Sequence, residues 1–242
     1  MSLEGLALPA AAPVPDASTE GSHDFSLEAL ADSWKINGVQ YRNGIYQVEL
    51  SKQLLPSGTQ DEHAARSREA ITRGEYQVGD FPLYFSTKRA LFLNKDAPGF
   101  KDEIEQIRAF LQKQIREHRL VTLTRIRNTH SGQEKVIHNY KLDDQYELEE
   151  DLVGPDEWVK DSQNSLPYKA LLGADNLQEI DAVYNWLNGT PARIYRLNSK
   201  PEQDIESIAW VDAYSDRVLL SCYRNPQISV PAVGVRARKI MV

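Results

Sequence analysis

The stretch that decides the fold begins Asp181-Ala182-Val183-Tyr184-Asn185-Trp186-Leu187-Asn188-Gly189 and continues through Tyr195-Arg196-Leu197, Arg217-Val218, Pro226 and Gly234-Val235-Arg236. Seven residues separate Val218 from Pro226, and seven more separate Pro226 from Gly234. Working upstream, Asp175 is positioned as the N-cap of a helix, with Gln178 three residues on as a capping box needs and Gly189 closing it. Leu177, Ile180, Val183, Tyr184 and Leu187 form the apolar face of that helix. Asn188-Gly189-Thr190 also matches a glycosylation sequon, but at a helix end it reads as a helix stop.

Downstream, Ile208–Tyr214 alternates strictly, which places Ala209, Val211 and Ala213 on one face of a strand and Trp210, Asp212 and Tyr214 on the other. After a Ser215-Asp216 turn the pattern repeats, with Val218, Leu220 and Cys222 inward and Arg217, Leu219, Ser221 and Tyr223 outward. The inward sets are what a core requires. The outward sets mix aromatic, acidic and hydroxyl side chains, and such mixtures suit a binding surface because Tyr and Trp supply contact area at small entropic cost.

The upstream half predicts further mixed structure. Asn37-Gly38 and Asn43-Gly44 among Ile36, Val39, Tyr41, Ile45, Tyr46 and Val48 predict a small antiparallel meander over Trp34–Leu50. Asp61 and Glu62 open a polar helix reaching about Arg73, acids first and arginines last as the helix dipole prefers. Ile104, Ile107, Leu111, Ile115 and His118 recur at helical spacing between Lys101 and Arg119, and that face must pack on a sheet. Leu120–Arg127 turns at Ser131-Gly132 into Lys135–Tyr140 as a hairpin. The acid-rich run from Asp143 to Asp161 lacks the glycine-bearing spacing of a calcium loop and reads as a solvated surface.

Composition bounds the function classes. The 242 residues, 41% hydrophobic and 26% charged, can bury one sizeable core. A net charge of -7 argues against general nucleic-acid affinity, which needs a basic balance. The single cysteine, Cys222, excludes an internal disulfide framework and a cysteine-based metal cage. Residues 1–24, rich in Ala and Pro, read as a flexible leader without the charged start and apolar stretch of a signal peptide. No later segment is apolar enough to insert in a membrane, so a cytoplasmic or particle-associated protein is expected.

The closing motifs resemble the end of a C-type-lectin-like domain of the formylglycine-generating-enzyme type, where a helix ending W-L-x-G leads to a Y-R-L strand and an R-V…P…G-[FV]-R segment closes the domain. The resemblance covers about a quarter of the chain. It implies an α+β C-type-lectin-like fold with antiparallel strands, flanking helices and an N-terminal elaboration, a single domain over residues 25–242 with elaboration and first half in 25–165 and the closing helix and strands in 166–242. A plain inner face with an idiosyncratic outer face just before the G-V-R terminus further resembles the variable proteins of diversity-generating retroelements, the archaeal ones above all. That family displays a diversified ligand-binding surface on a fixed scaffold; for this chain the resemblance implies binding without catalysis, and no cofactor or metal-ligating residues are assigned.

Carried over, the resemblance implies variable, ligand-binding positions at Trp210, Asp212, Tyr214, Asp216, Leu219, Ser221, Tyr223, Asn225, Ile228 and Val230. The fixed scaffold would hold Val211, Val218, Leu220, Pro226, Gly234 and Arg236. The implied partner is an unidentified ligand, a protein or another macromolecule, with no nucleic acid. Competing readings are a lectin-like module with one fixed partner and an oxidase of the formylglycine-generating type. The oxidase needs a cysteine pair near the closing segment, and the chain has Cys222 alone. Another enzyme would draw on His118, His130 or His138 with Glu134 as acid-base groups. Arg108, Lys113, Arg116, Arg119, Arg125 and Arg127 would make a basic strip, but the interleaved Glu103, Glu105 and Glu117 make it a charged solvent face.

Overall fold

The computed structural model describes residues 25–131 and 134–240. The leader expected over residues 1–24 and Gly132 of the expected hairpin turn lie outside the described residues.

Three strands open the fold: β1 (Ser26–Ala29), β2 (Ser33–Tyr41) and β3 (Gly44–Gly58), each antiparallel to the next. The meander is as the sequence predicts, with β1 added at its edge. Arg42 and Asn43 make its turn, whereas Asn37-Gly38 is a bulge inside β2 where the register shifts and Gly38 takes φ +78°. Helix α1 (Gln60–Arg73) follows, its N-terminus closed by a capping box between Thr59 and Glu62 and its C-terminus by Gly74 in the left-handed conformation. The short strand β4 (Gln77–Val78) leads to α2 (Phe81–Leu93), capped by the Asp80 carboxylate.

Helix α2 has no counterpart in the periodicity of the sequence. Phe81, Leu83, Tyr84, Phe85, Thr87, Lys88 and Leu91 are all buried, so the helix is apolar around most of its circumference and shows no single stripe. Helix α3 (Lys101–Glu117) buries Ile104, Ile107, Leu111 and Ile115 as predicted and packs on a strand and a helix described below. His118 ends it as an exposed residue and is not part of the buried face.

The second half contributes β5 (Leu120–Asn128) and β6 (Glu134–His138), the expected antiparallel pair, then β7 (Tyr146–Glu149) within the acidic run and β8 (Glu157–Trp158). Helices α4 (Leu166–Leu172) and α5 (Leu177–Asn188) follow. The α5 cap is Asn176, one residue after the expected Asp175, because the Asn176 side chain accepts from the Glu179 N–H. Gly189 takes φ +76° and stops the helix, and Asn188 is buried with its side-chain oxygen accepting from Arg116 at 2.7 Å. The chain finishes with β9 (Ala192–Tyr195), β10 (Ile205–Ala213), β11 (Val218–Ser221) and β12 (Val230–Ile240).

Two sheets result, one ordered β1-β2-β3-β12-β4 and the other β7-β6-β5-β10-β11-β9-β8. All pairings are antiparallel except β11 with β9, so this is a mixed α+β fold. Strand β12 lies against β3 over most of its length, which brings it back beside the opening meander. Gly234 makes that approach possible: a Cβ there would stand 3.0 Å from the Tyr76 Cβ and 3.2 Å from the Ser51 Cβ. Arg236 then pairs with Glu49 and lies 4.5 Å over the Tyr76 ring. One cluster of buried side chains spans both sheets and the helices.

Gln60, at the start of α1 with no exposed surface, ties that helix to the seven-stranded sheet. Its amide donates to the carbonyls of Thr122 (2.8 Å) and Thr124 (3.0 Å) in β5, and its oxygen accepts from Arg125 at 2.6 Å. Replacing Gln60 with Leu would leave two carbonyls and a guanidinium N–H buried and unpaired, each worth about 1–3 kcal/mol. We therefore expect Gln60→Leu to lower the urea midpoint by the equivalent of roughly 3 kcal/mol, whereas an unchanged midpoint would show that the tie contributes nothing.

Candidate functional site

Register places the outward residues of the last strands on one face of the seven-stranded sheet. Asp212 lies beside Leu219, Leu219 beside Arg193, and Arg193 beside Trp158. In the next row Trp210 lies beside Ser221 and Ser221 beside Tyr195. The opposite face carries Val211, Val218, Leu220 and Ile194, all buried, and helices α3 and α5 contact β9, β10 and β11. The inward scaffold residues are thus where alternation predicts.

The outward residues are less open than alternation alone suggests. Trp210 (1% exposed), Asp212 (4%) and Ser221 (0%) are buried, while Tyr214 (44%) and Tyr223 (43%) are exposed. Burial follows from long side chains laid along the sheet. The Arg119 and Arg224 guanidiniums stand 5.6 and 5.2 Å from the Trp210 ring, and Arg224 also lies 4.9 Å from Tyr195. Arg193 stands 5.7 Å over Trp158. Val230 is buried for another reason: it starts β12, pairs with Gly58, and its carbonyl accepts from the His63 Nε2–H at 2.8 Å. Asp216 and Asn225 are exposed in turns, and Leu219 and Ile228 are half-buried. The expectation of a fully outward set at Trp210, Asp212, Ser221 and Val230 is corrected accordingly.

Among the described residues, several of these polar groups have no partner. Trp210 Nε1, Ser221 Oγ, both Asp212 carboxylate oxygens and the Nε atoms of Arg193 and Arg224 are buried without a hydrogen bond. The Arg119 Nε stands 3.9 Å from Asp212, which is ion-pair range but not a hydrogen bond. Burial pushes the Asp212 carboxyl above the usual range, opposed by Arg224 and Arg119. Such groups are rare in folded proteins and each calls for an explanation.

A concavity of about 760 Å³ opens elsewhere, between the β2–β3 turn, α2, β7 and the start of α5. Its polar groups are satisfied within the fold. Arg89 pairs with Glu179 (2.8 Å), Lys169 with Asp175 (3.3 Å) and Arg42 with Asp144 (3.2 Å). Behind it the Tyr41 hydroxyl donates to the buried Asp80 at 2.6 Å, with the Tyr146 hydroxyl 3.5 Å from the same oxygen. This satisfied cleft is a weaker site candidate than the sheet face.

The histidines do not converge. His138 has no exposure; its Nε2–H donates to the Ala170 carbonyl (2.8 Å), which leaves Nδ1 to accept from the Thr124 hydroxyl (3.0 Å). Burial holds its pKa below the ordinary value, and its ring stacks on Tyr146 at 4.8 Å. Glu134 instead accepts from the Leu152 N–H. His130 pairs with the exposed Asp204 and His118 stands alone at the end of α3. Cys222 is buried, its thiol pushed up to about 12. Among the described residues no group of three His, Cys, Asp or Glu is placed to hold a metal ion, and no helix is long and apolar enough to cross a membrane. Arg193, Arg224 and Trp158 have no place in the sequence reading, and Tyr195 enters it only through the Y-R-L motif, because each sits on a short strand or loop whose register only the sheet reveals.

Compared with family models, with curated proteins and with solved structures, the chain matches none.

Asp212 gives a pH test. With a folded pKa above the unfolded one, the native state holds the extra proton between the two values, so stability falls as pH rises through that window. We expect Asp212→Asn to match the wild-type melting temperature near pH 3.5 and to exceed it at pH 7 by the equivalent of roughly 1–3 kcal/mol. A variant less stable than wild type at pH 7 would mean that the carboxylate is held by the fold after all.

Proposed function

We propose that this chain is a non-catalytic ligand-binding protein that takes its ligand on the outer face and adjoining loops of β9, β10 and β11. The observation that carries the reading is the set of buried, unpartnered polar groups at Trp210, Asp212 and Ser221, flanked by the unbonded Nε atoms of Arg193 and Arg224. A fold gains nothing from such groups, each of which costs about 1–3 kcal/mol. A ligand that supplies both donors and acceptors would satisfy them. The exposed Tyr214 and Tyr223 at the margin add adaptable aromatic contact. The buried thiol of Cys222 and the separately satisfied histidines offer no convergent nucleophile and base, which favours binding over catalysis.

The finer reading is a C-type-lectin-like display protein of the diversity-generating type. Two features support it. The Gly234-Val235-Arg236 segment lies in the last strand, which closes the domain against β3, and the scaffold residues Val211, Val218 and Leu220 are all buried. Free exchange is then confined to positions that the core does not need, namely Tyr214, Asp216, Tyr223 and Asn225, with Leu219 and Ile228 partly free. Trp210, Asp212, Ser221 and Val230 become fixed parts of the binding floor or of the core.

Sequencing the 3′ end of the gene across its source population is the test of diversification. Variation gathered at the codons of Tyr214, Asp216, Tyr223 and Asn225 is expected, beside a near-copy template; an invariant end leaves a module with one fixed partner. Binding itself is tested by screening the full chain against immobilised glycans and peptides. A ligand whose affinity drops at least tenfold in Tyr214→Ala/Tyr223→Ala, with stability within about 0.5 kcal/mol of wild type, would bear the reading out. Equal binding by the variant would move the site elsewhere.

A further inference from the structure

Lys88 sits on α2 in the middle of the protein, 4% exposed. Its ammonium position lies 5.8 Å from the centroid of the Tyr84 ring and 5.5 Å from that of Tyr184. No carboxylate among the described residues pairs with it, and burial is the cause that lowers its pKa. Beside it is a cavity of about 20 Å³ walled by Phe81, Leu111, Ile115, Val211 and Val233, with Thr122 as a polar neighbour. The Thr122 hydroxyl is already committed to the Ala209 carbonyl at 2.8 Å.

We propose that Lys88 is a covalent site for small, uncharged carbonyl compounds of one or two carbons, which its amine captures as an imine. The amine lone pair attacks the carbonyl carbon while the carbonyl π pair moves to oxygen. A proton passes from nitrogen to that oxygen, and the carbinolamine loses one water as the C=N bond forms. No oxidant or reductant is consumed.

Three features of the site select this chemistry. Burial brings the amine down to about 7, so far more of it is unprotonated and nucleophilic at neutral pH than the roughly one in a few thousand of a solvated lysine. The cavity has room for about one water-sized group, which limits the electrophile to a few heavy atoms. Its apolar walls disfavour a charged product. Carbon dioxide would leave a carbamate anion with no cation beside it, whereas an imine remains neutral. The surroundings that suppress the ammonium suppress the iminium in the same way.

The experiment is to incubate the native full-length chain at pH 7 with limiting formaldehyde, trap with borohydride, and locate methylated lysines by peptide mass spectrometry. Lys88 is expected to be modified at least tenfold faster than the exposed Lys169 and Lys141. Acetaldehyde should behave likewise and benzaldehyde should fail to reach it. A sample labelled after unfolding confirms that the Lys88 peptide is detectable, and Lys88→Met should lose this one modification while retaining those at the surface. Native chain modified at Lys169 and Lys141 but not at Lys88 would overturn the proposal, and so would equal labelling by benzaldehyde.

Discussion

Asp80 has no exposed surface, and three parts of the fold converge on its carboxylate. One oxygen accepts from the Leu83 N–H at 2.8 Å and so caps α2; the other accepts from the Tyr41 hydroxyl of β2, with Tyr146 of β7 close by. Burial raises its pKa, and a buried acid of this kind is tolerated only where donors are supplied. Since β2 belongs to one sheet and β7 to the other, the position of this carboxylate sets how both sheets stand on the central helix. Thr124 extends the arrangement. It accepts from the Phe81 N–H at 2.9 Å and donates to His138, whose other nitrogen donates to Ala170 in α4. Of the apparent acid-base residues of the sequence, His138 is therefore consumed in fixing helix positions.

With α2 fixed, helices α3 and α5 cover the inner face of the seven-stranded sheet at β9–β11. Helix α3 reaches β10, and α5 reaches β9 and β11. The outer face of those strands is left to the arginine stems and the aromatic rings of Trp158, Tyr195 and Trp210. Arginine serves this arrangement better than lysine would, because its planar group can stack on a ring and still offer N–H donors at the edge. In the five-stranded sheet the corresponding closure is made by β12, whose Gly234 allows the backbone of the last strand to approach the Tyr76 and Ser51 side chains.

The legible parts of the sequence were those governed by one dominant local rule. Helix α1 carries acids early, an arginine in its last turn and a glycine stop; α3 has one apolar stripe; β10 and β11 alternate. Helix α2 was invisible because its neighbours surround it, so Lys88 and Thr87 are as buried as Phe85 and no stripe appears. Strand β7 was hidden in the acidic run, since Tyr146 and Leu148 gain strand character only by pairing with His138 and Val136. For the site, alternation correctly divided Val211 from Trp210 and Asp212, which is a statement about faces. It could not give exposure, because Arg119 and Arg224 arrive from outside the strands they cover.

The contrast between the cleft beside α5 and the outer sheet face bears on which of them the proposed ligand would use. In the cleft beside α5 each arginine or lysine has a carboxylate at 2.8–3.3 Å, so the region is complete without any added molecule. On the outer sheet face the carboxylate and the cations are present but do not meet in bonding geometry: Asp212 bonds to neither Arg119 nor Arg224, and Ser221 lies beside Trp210 with both polar atoms idle. If stability alone shaped this surface, small apolar residues at positions 212 and 221 would serve it better, since replacing unsatisfied polar groups by apolar ones of similar shape is neutral or favourable. Retaining them under a layer of arginine side chains makes sense when those side chains are displaced by something that bonds to what lies beneath. On the proposed reading the energetic defect and the binding surface are the same feature, as expected where function is placed on a rigid scaffold at the expense of stability.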